Sequence, residues 1–423
     1  MEPQIGDKIE VVHNDSSKFC GVLFPGLGNL VQIKLDNGYN IAFDKKDIKK
    51  ISMVKKMEKP KMNSSKKQPL AEPEIWVLHT GGTIASKVDY KTGGVVTLYD
   101  PEELLSMYPK LREVASISSK SVLNVMSENL DFLDYNKIAD EINNVVKNSK
   151  KIKGIIITIG TDTMHYTACG LSFILENLNL PVILAGAQRS SDRGSSDAYE
   201  NLINAAYFIK KTDYAGVGIC MHENSDDENC FILHPHNTLK MHTSRRDTFR
   251  PVNRKPIARV NFKNELVEYL SSYNKKDGKE LQLKPFNGKI KVGVIKSRPG
   301  ITPEEIECFE KYDAVVIEGT GLGHFNFSKT ETRKKLVSLA KKIPVILTSQ
   351  CIYGMKNMKV YSPGRELIDM GILGDNAMLT FETTYIKTAW LLSNFSKEKF
   401  SELFDKNFRG EMITRIEEDC FLY

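Results

Sequence analysis

The sequence predicts an α/β protein of two unequal domains preceded by a small all-β barrel. Three observations carry the prediction. Residues 1–53 alternate apolar and polar side chains at the period of a strand. From Glu74 onward, continuous apolar strands alternate with helical stretches, as expected of a parallel sheet covered on both faces. A chain of 423 residues is also too long for one ordinary core.

The barrel is read from four short runs, Lys8–Val11, Gly21–Phe24, Leu30–Leu35 and Tyr39–Phe43. Asp36-Asn37-Gly38 between the last two is a strong hairpin signal, because Asn-Gly supplies positive φ at the turn. Nothing in residues 1–53 looks catalytic, so interaction is the role expected of them. Residues 54–73 hold three prolines, several lysines and almost no apolar periodicity, which predicts a flexible linker. In residues 74–278 the strands are Ile75–Leu78, Ile155–Ile159, Pro181–Ala185 and Gly216–Cys220, with a helix over Tyr166–Glu176. A ligand of such a sheet belongs at the carboxyl ends of its strands. A second α/β unit spans 290–423, with strands Val292–Ile295, Ala314–Ile317 and Pro344–Leu347. Its helices are expected over Glu304–Lys311 and Thr330–Lys341.

Composition excludes several classes. At 41% hydrophobic and 26% charged the chain reads as globular. No stretch approaches the roughly 20 apolar residues of a membrane helix, and Met1-Glu2-Pro3-Gln4 does not read as a secretory start. Seven scattered cysteines with no Cys-x-x-Cys pair predict free thiols in a reducing cytoplasm. The net charge is +6, of which residues 54–69 supply +5 through six lysines against Glu58. The global charge therefore gives no argument for nucleic-acid binding.

Two segments concentrate the chemistry. Thr80-Gly81-Gly82-Thr83-Ile84-Ala85-Ser86 follows the first apolar strand, and Thr158-Ile159-Gly160-Thr161-Asp162-Thr163-Met164 follows a second. Each is a strand end that turns on glycine and presents hydroxyls. Alone, such a threonine reads as a helix cap. As a pair, with both glycine turns, they read as one site assembled from two strand ends. A hydroxyl attacks a carbonyl only when something removes its proton and something else holds the oxyanion.

On these two segments the chain resembles the bacterial-type L-asparaginase/glutaminase family. Ala185-Gly186-Ala187-Gln188-Arg189, Ser196–Leu202 and Thr238–Thr243 agree with the same family. The barrel and the run Lys240–Phe249 make the chain similar, within it, to the archaeal glutamyl-tRNA(Gln) amidotransferase branch. The resemblance implies an asparaginase-like two-domain fold, a larger N-terminal and a smaller C-terminal α/β domain. It implies Thr83 as nucleophile and a relay of Thr161, Lys240 and Asp162. It implies Ser127 on the substrate α-carboxylate, with the next residue, here Glu128, on the α-amino group. It further implies a homodimer that joins two copies of a partner, the E-type subunit of the amidotransferase. That partner would bind Glu-tRNA(Gln) and use ATP and Mg; no cofactor is expected on this chain. One departure stands out. Many members place a tyrosine in the loop after the first threonine; here Val95 takes that place, and Tyr90 is the nearby substitute.

Other residues invite different readings. Cys230, His234, His236 and His242 suggest zinc, but their spacing matches no standard set, and Pro235 and Lys240 among them suggest a substrate loop. Gly319-Thr320-Gly321-Leu322-Gly323-His324 lacks the third-glycine spacing of a dinucleotide fingerprint and reads as a turn. Arg245, Arg246, Arg250, Arg254, Lys255 and Arg259 read either as an ion-paired loop or as a docking surface.

Overall fold

The computed structural model describes residues 3–26, 28–35, 39–56, 72–82, 86–88, 95–97, 108–190, 195–375 and 378–421. The N-terminal unit is a five-stranded antiparallel sheet: β1 Lys8–His13, β2 Lys18–Phe24, β3 Leu30–Leu35, β4 Asn40–Asp44 and β5 Ile48–Lys55, in the order β4-β3-β2-β1-β5. Ile9, Val11, Val31, Ile33 and Phe43 form its small core. Strand β5 was not among the four runs expected. Its sequence, IKKISMVK, does not alternate, and most of it is exposed beside β1. The expected turn at Asp36-Asn37-Gly38 lies outside the described residues; β3 and β4 on either side do pair antiparallel.

The next unit is built on an eight-stranded sheet. Its strands in chain order are β6 Ile75–His79, β7 Ile117–Ser121, β8 Gly154–Thr158, β9 Pro181–Ala185, β10 Gly216–His222, β11 Cys230–Leu233, β12 Ala258–Asn261 and β13 Leu266–Tyr269. In space they run β13-β12-β11-β10-β9-β8-β6-β7. The stretch from β7 to β10 is parallel, as the apolar runs predicted. Beyond β10 the sheet turns antiparallel through β11, β12 and β13. That half was not foreseen, because Cys230–Leu233 and Ala258–Asn261 are too short to separate from loop by pattern.

Helices cover both faces. Helix α1, Phe132–Asn148, starts at a capping box in which Asp131 accepts from Leu133 and Asp134. It buries Tyr135, Ile138, Ala139, Ile142 and Val145, one stripe at helical spacing. Helix α2, Met164–Ile174, is buried on nearly every side. The sequence placed it two residues later, to Glu176. Leu175 and Glu176 instead pair with Leu283 and Gln282. Each large apolar side chain so buried contributes about 1.5–3 kcal/mol. α3, Ala198–Lys211, covers the other face with Leu202, Ile203, Ala206 and Phe208.

The C-terminal unit has three parallel strands, β14 Val292–Lys296, β15 Ala314–Gly319 and β16 Val345–Ser349. The helix expected over Glu304–Lys311 is α-helical only over Pro303–Glu307 and tightens into a 3-10 turn over Cys308–Lys311. α4 spans Thr330–Lys342 and α5 spans Phe381–Asn394. Trp390 of α5 and Phe173 of α2 belong to one core, so the two α/β units share apolar packing. Among the described residues, no helix is long and apolar enough to cross a membrane.

Candidate active site

The parallel pairing of β6 with β8 sets His79 opposite Thr158, so both signature segments leave the sheet at the same end. Thr80 N–H and Oγ1 both donate to Thr158 O, at 3.0 Å each. Gly82 then presses on the second segment. Its φ is +84°, and a Cβ on it would fall 2.2 Å from Gly160 N. Gly160 meets a third loop: a Cβ there would fall 2.7 Å from Ser127 Oγ. Only glycine permits these two approaches. Three loops thus converge at the carboxyl end of the sheet, the place expected for a ligand.

Into this place comes Lys240, carried on a short hairpin in which Thr238–Lys240 pairs with Phe249–Pro251. Its Nζ donates to Thr161 Oγ1 at 3.0 Å and to Asp162 Oδ1 at 2.6 Å. The three groups differ in setting. Thr161 is buried, the Lys240 side chain is 12% exposed, and the Asp162 side chain is 62% exposed. A lysine fixed between a hydroxyl and a carboxylate is placed to pass a proton to or from the hydroxyl. Ser127 is buried in the turn Ser127–Asn129, with its carbonyl accepting from Thr163 Oγ1 at 2.5 Å. Glu128, beside it, is exposed.

The structure therefore brings together Thr161, Asp162, Lys240 and Ser127. Thr83 and Tyr90 lie outside the described residues; the backbone leading to Thr83 ends at Gly82, against Gly160. Val95 begins the short strand Val95–Thr97, which pairs with Ser86–Val88.

Two neighbours were given no role by the sequence, although Thr163 lies inside the second signature segment. One is Thr163, which pins the Ser127 turn. The other is His165, which sits in the first turn of α2, buried, with Nδ1 lacking a hydrogen-bond partner. Burial, and then the positive charge of Lys240, push its pKa down to about 4.

The other sequence candidates separate. Cys230 contacts Asn204 and Asn201, His234 meets Ser271 Oγ at 2.9 Å, and His236 lies between Ser172 Oγ at 3.0 Å and Cys169 Sγ at 3.4 Å. His242 Nδ1 accepts from the backbone of Ser244 and Arg245. These four side chains form no shared metal cage among the described residues. Gly319–His324 is a turn closed by Thr320 N–H to His324 O at 2.9 Å. The basic run is largely ion-paired. Arg245 and Arg250 hold Asp247, Arg246 holds Asp227, Lys255 holds Glu417 and Asp419, and Arg259 holds Glu223 and Glu268.

Three regions of the chain match known families. Residues 74–273 match the family model "Asparaginase, N-terminal", residues 291–404 the "Glutaminase/Asparaginase C-terminal domain", and residues 3–54 the "GatD N-terminal domain". The D-type subunit of the glutamyl-tRNA(Gln) amidotransferase of Methanosphaera stadtmanae is 42% identical over 400 residues, 93% of this chain and 90% of the relative. That of Thermococcus kodakarensis is 39% identical over 432 residues, 99% and 96% of the two chains. Among solved structures, the thermostable L-asparaginase from Thermococcus kodakarensis superposes with a TM-score of 0.71 at 26% identity, covering 80% of this chain and 99% of the other. L-asparaginase I from Vibrio cholerae gives 0.69 at 26% identity, covering 81% and 100%.

Proposed function

We infer the activity from one premise: the chain belongs to the asparaginase family, and within it to the D-type subunits of the glutamyl-tRNA(Gln) amidotransferases. The chain is the glutaminase of such a complex. It hydrolyses the side-chain amide of glutamine and supplies ammonia to a partner. Membership of that branch supports the identity of the partner, the E-type subunit of the amidotransferase, which converts Glu-tRNA(Gln) to Gln-tRNA(Gln) with ATP and Mg. It also supports a pair of these chains at the centre of a heterotetramer, acting in the cytoplasm in protein biosynthesis.

In the proposed chemistry the Thr83 hydroxyl attacks the carboxamide carbon, and its proton passes to a neighbouring base. The amide nitrogen takes up a proton and leaves as ammonia, and water then cleaves the acyl ester to glutamate. Thr161 with Lys240 and Asp162 handles the proton traffic, and Ser127 and Glu128 hold the α-carboxylate and α-ammonium. A fixed lysine–hydroxyl contact gives proton transfer with little reorganisation. Val95 in place of the family's tyrosine leaves Tyr90, or ordering of the loop by the assembled complex, to activate Thr83. An amidotransferase gains from that arrangement, because idle hydrolysis wastes glutamine.

The observation that carries this reading is Lys240 Nζ at 3.0 Å from Thr161 Oγ1 and 2.6 Å from Asp162 Oδ1, beside the Gly82–Gly160 contact. The test is transfer assayed with two nitrogen donors in the assembled complex. Thr83→Ala or Lys240→Ala is expected to abolish glutamine-dependent transfer and to retain transfer from ammonium. Loss of both would make these residues structural. The structural neighbours share the fold and leave this reading in place; strong asparagine hydrolysis by the chain alone would instead select a free-standing asparaginase.

A further inference from the structure

At the opposite end of the sheet, by the first residues of β10, lies a cleft of about 240 Å³. Arg254, Arg409, His234, His236, Tyr273 and Asn274 line it, and the proposed amide chemistry makes no use of it. Its charge balance is unusual. Of the six cations in the run 245–259, five hold carboxylates. Arg254 holds none among the described residues. Its Nη1 donates to Gly410 O at 3.1 Å and its Nη2 to Ser272 O at 3.4 Å, which leaves part of the five-donor fork unused. Burial opposes its charge, lowering its pKa, so the guanidinium is partly desolvated without a counter-charge.

The other cations around the cleft are already neutralised. Arg409 pairs with Glu176, and Lys275 pairs with Asp213, which also accepts from the Tyr273 phenol. His234 and His236 are held neutral, mainly by burial. Ser271 Oγ donates to Pro256 O at 2.9 Å, so it accepts the hydrogen bond from His234 Nε2–H. The lining therefore carries one uncompensated positive charge.

We propose that this cleft binds a small monocarboxylate, seated on the free edge of the Arg254 guanidinium. A planar carboxylate matches the fork in geometry and its single negative charge matches the single excess positive one. A phosphate would bring close to two charges into a partly buried site built for one. The site also touches the proposed chemistry. His236 lies four residues before Lys240 on the same segment, and Thr238 Oγ1 between them donates to His234 O at 2.6 Å.

The test uses the full chain labelled with nitrogen-15 at arginine, titrated with acetate, glycolate, inorganic phosphate and chloride. Acetate or glycolate is expected to shift one Arg side-chain resonance saturably, at millimolar concentration. Arg254→Gln is expected to remove that resonance and weaken binding at least tenfold, and Arg254→Lys, which keeps the charge without the fork, to weaken it less. Should Arg254→Gln fail to fold, Asn274→Tyr fills the cleft and leaves the guanidinium in place; it is expected to abolish the shift. Saturation by phosphate in preference to carboxylate, absence of any saturable shift, or unchanged binding in both Arg254→Gln and Asn274→Tyr would overturn the proposal. None of these outcomes depends on glutamine hydrolysis, so the cleft and the amidase stand or fall separately.

Discussion

Two lysines in this molecule, each held by a carboxylate, serve opposite uses. Lys240 reaches Asp162 at 2.6 Å, but Asp162 is mostly in water and Lys240 also donates to the Thr161 hydroxyl. Lys387 reaches Glu411 at 2.7 Å with both side chains fully buried. It also donates to Lys406 O at 2.6 Å, and Glu411 accepts from the backbone of Phe408 and Arg409. Burial and the Glu411 pairing act in opposition on Lys387, and burial wins, so its pKa is lowered. Burial is the largest influence on Glu411 and opposes its charge, but the charge of Lys387 and the hydrogen bonds from Lys387 and the Arg409 backbone together outweigh it, and the carboxyl sits below its ordinary value. The inner pair latches the segment around residues 406–411 onto α5 and has no spare valence. The outer pair keeps one neighbour, a hydroxyl, that can exchange a proton. An exposed pair contributes about 0–1 kcal/mol, so stability does not explain the outer one.

Breaking each pair sharpens the contrast. Lys240→Met is expected to lower glutamine hydrolysis by about 10²–10⁴-fold, the usual worth of a positioned proton-transfer group. Its unfolding free energy, from denaturant titration, is expected to fall by less than about 1 kcal/mol. Lys387→Met should do the reverse. It leaves Glu411 buried and uncompensated, at a cost of about 3–5 kcal/mol, while turnover per folded molecule is unchanged. Lys387→Met with Glu411→Leu should recover much of that loss, as measured by the same titration. If Lys387→Met proves neutral for stability, the latch is not a latch.

Acid distinguishes the regions next. His165 and His236 are held neutral in the fold, with pKa values pushed down to about 4 mainly by burial. Between about pH 6.5 and pH 4 the unfolded chain binds protons that the folded chain refuses. Stability is therefore present above pH 6.5 and is lost as pH falls toward 4, by up to about 3 kcal/mol for each such histidine. Chemical denaturation at stepped pH reads the slope. Removing the Lys240 charge in Lys240→Met should raise the His165 pKa, observable by NMR, and leave that of His236 in place. The smallest effect is expected of Asp162→Asn. It keeps the hydrogen-bond shape but removes a charge that is largely solvated, so activity should fall by about tenfold or more with stability unchanged within about 0.5 kcal/mol.

How much of this was legible in the sequence follows from distance along the chain. Thr161 and Asp162 sit inside one local motif on a strand end, and Lys240 sits in a second, so both could be read as text. The parallel strands were equally plain, because burial on two faces writes them as unbroken apolar runs. Strand β5 was not, since an exposed edge rich in lysine carries no alternation. The Lys387–Glu411 pair was invisible, because burial of a charge is decided by Phe404, Phe408 and Trp390 packing around it. The basic run near Lys240 was ambiguous for the same reason. The carboxylates that neutralise Arg259 and Lys255, on Glu223, Glu417 and Asp419, arrive from other parts of the chain. Only with these partners placed does Arg254 stand apart.

The central claim is that one carboxamide is attacked where the two glycine turns meet. The most direct measurement is covalent capture. The assembled complex, treated with an electrophilic glutamine analogue and digested, is expected to carry the added mass on the peptide containing Thr83, with labelling slowed at least a hundredfold in Lys240→Met. Label on any other residue, or unchanged labelling of Thr83 without Lys240, would contradict the account.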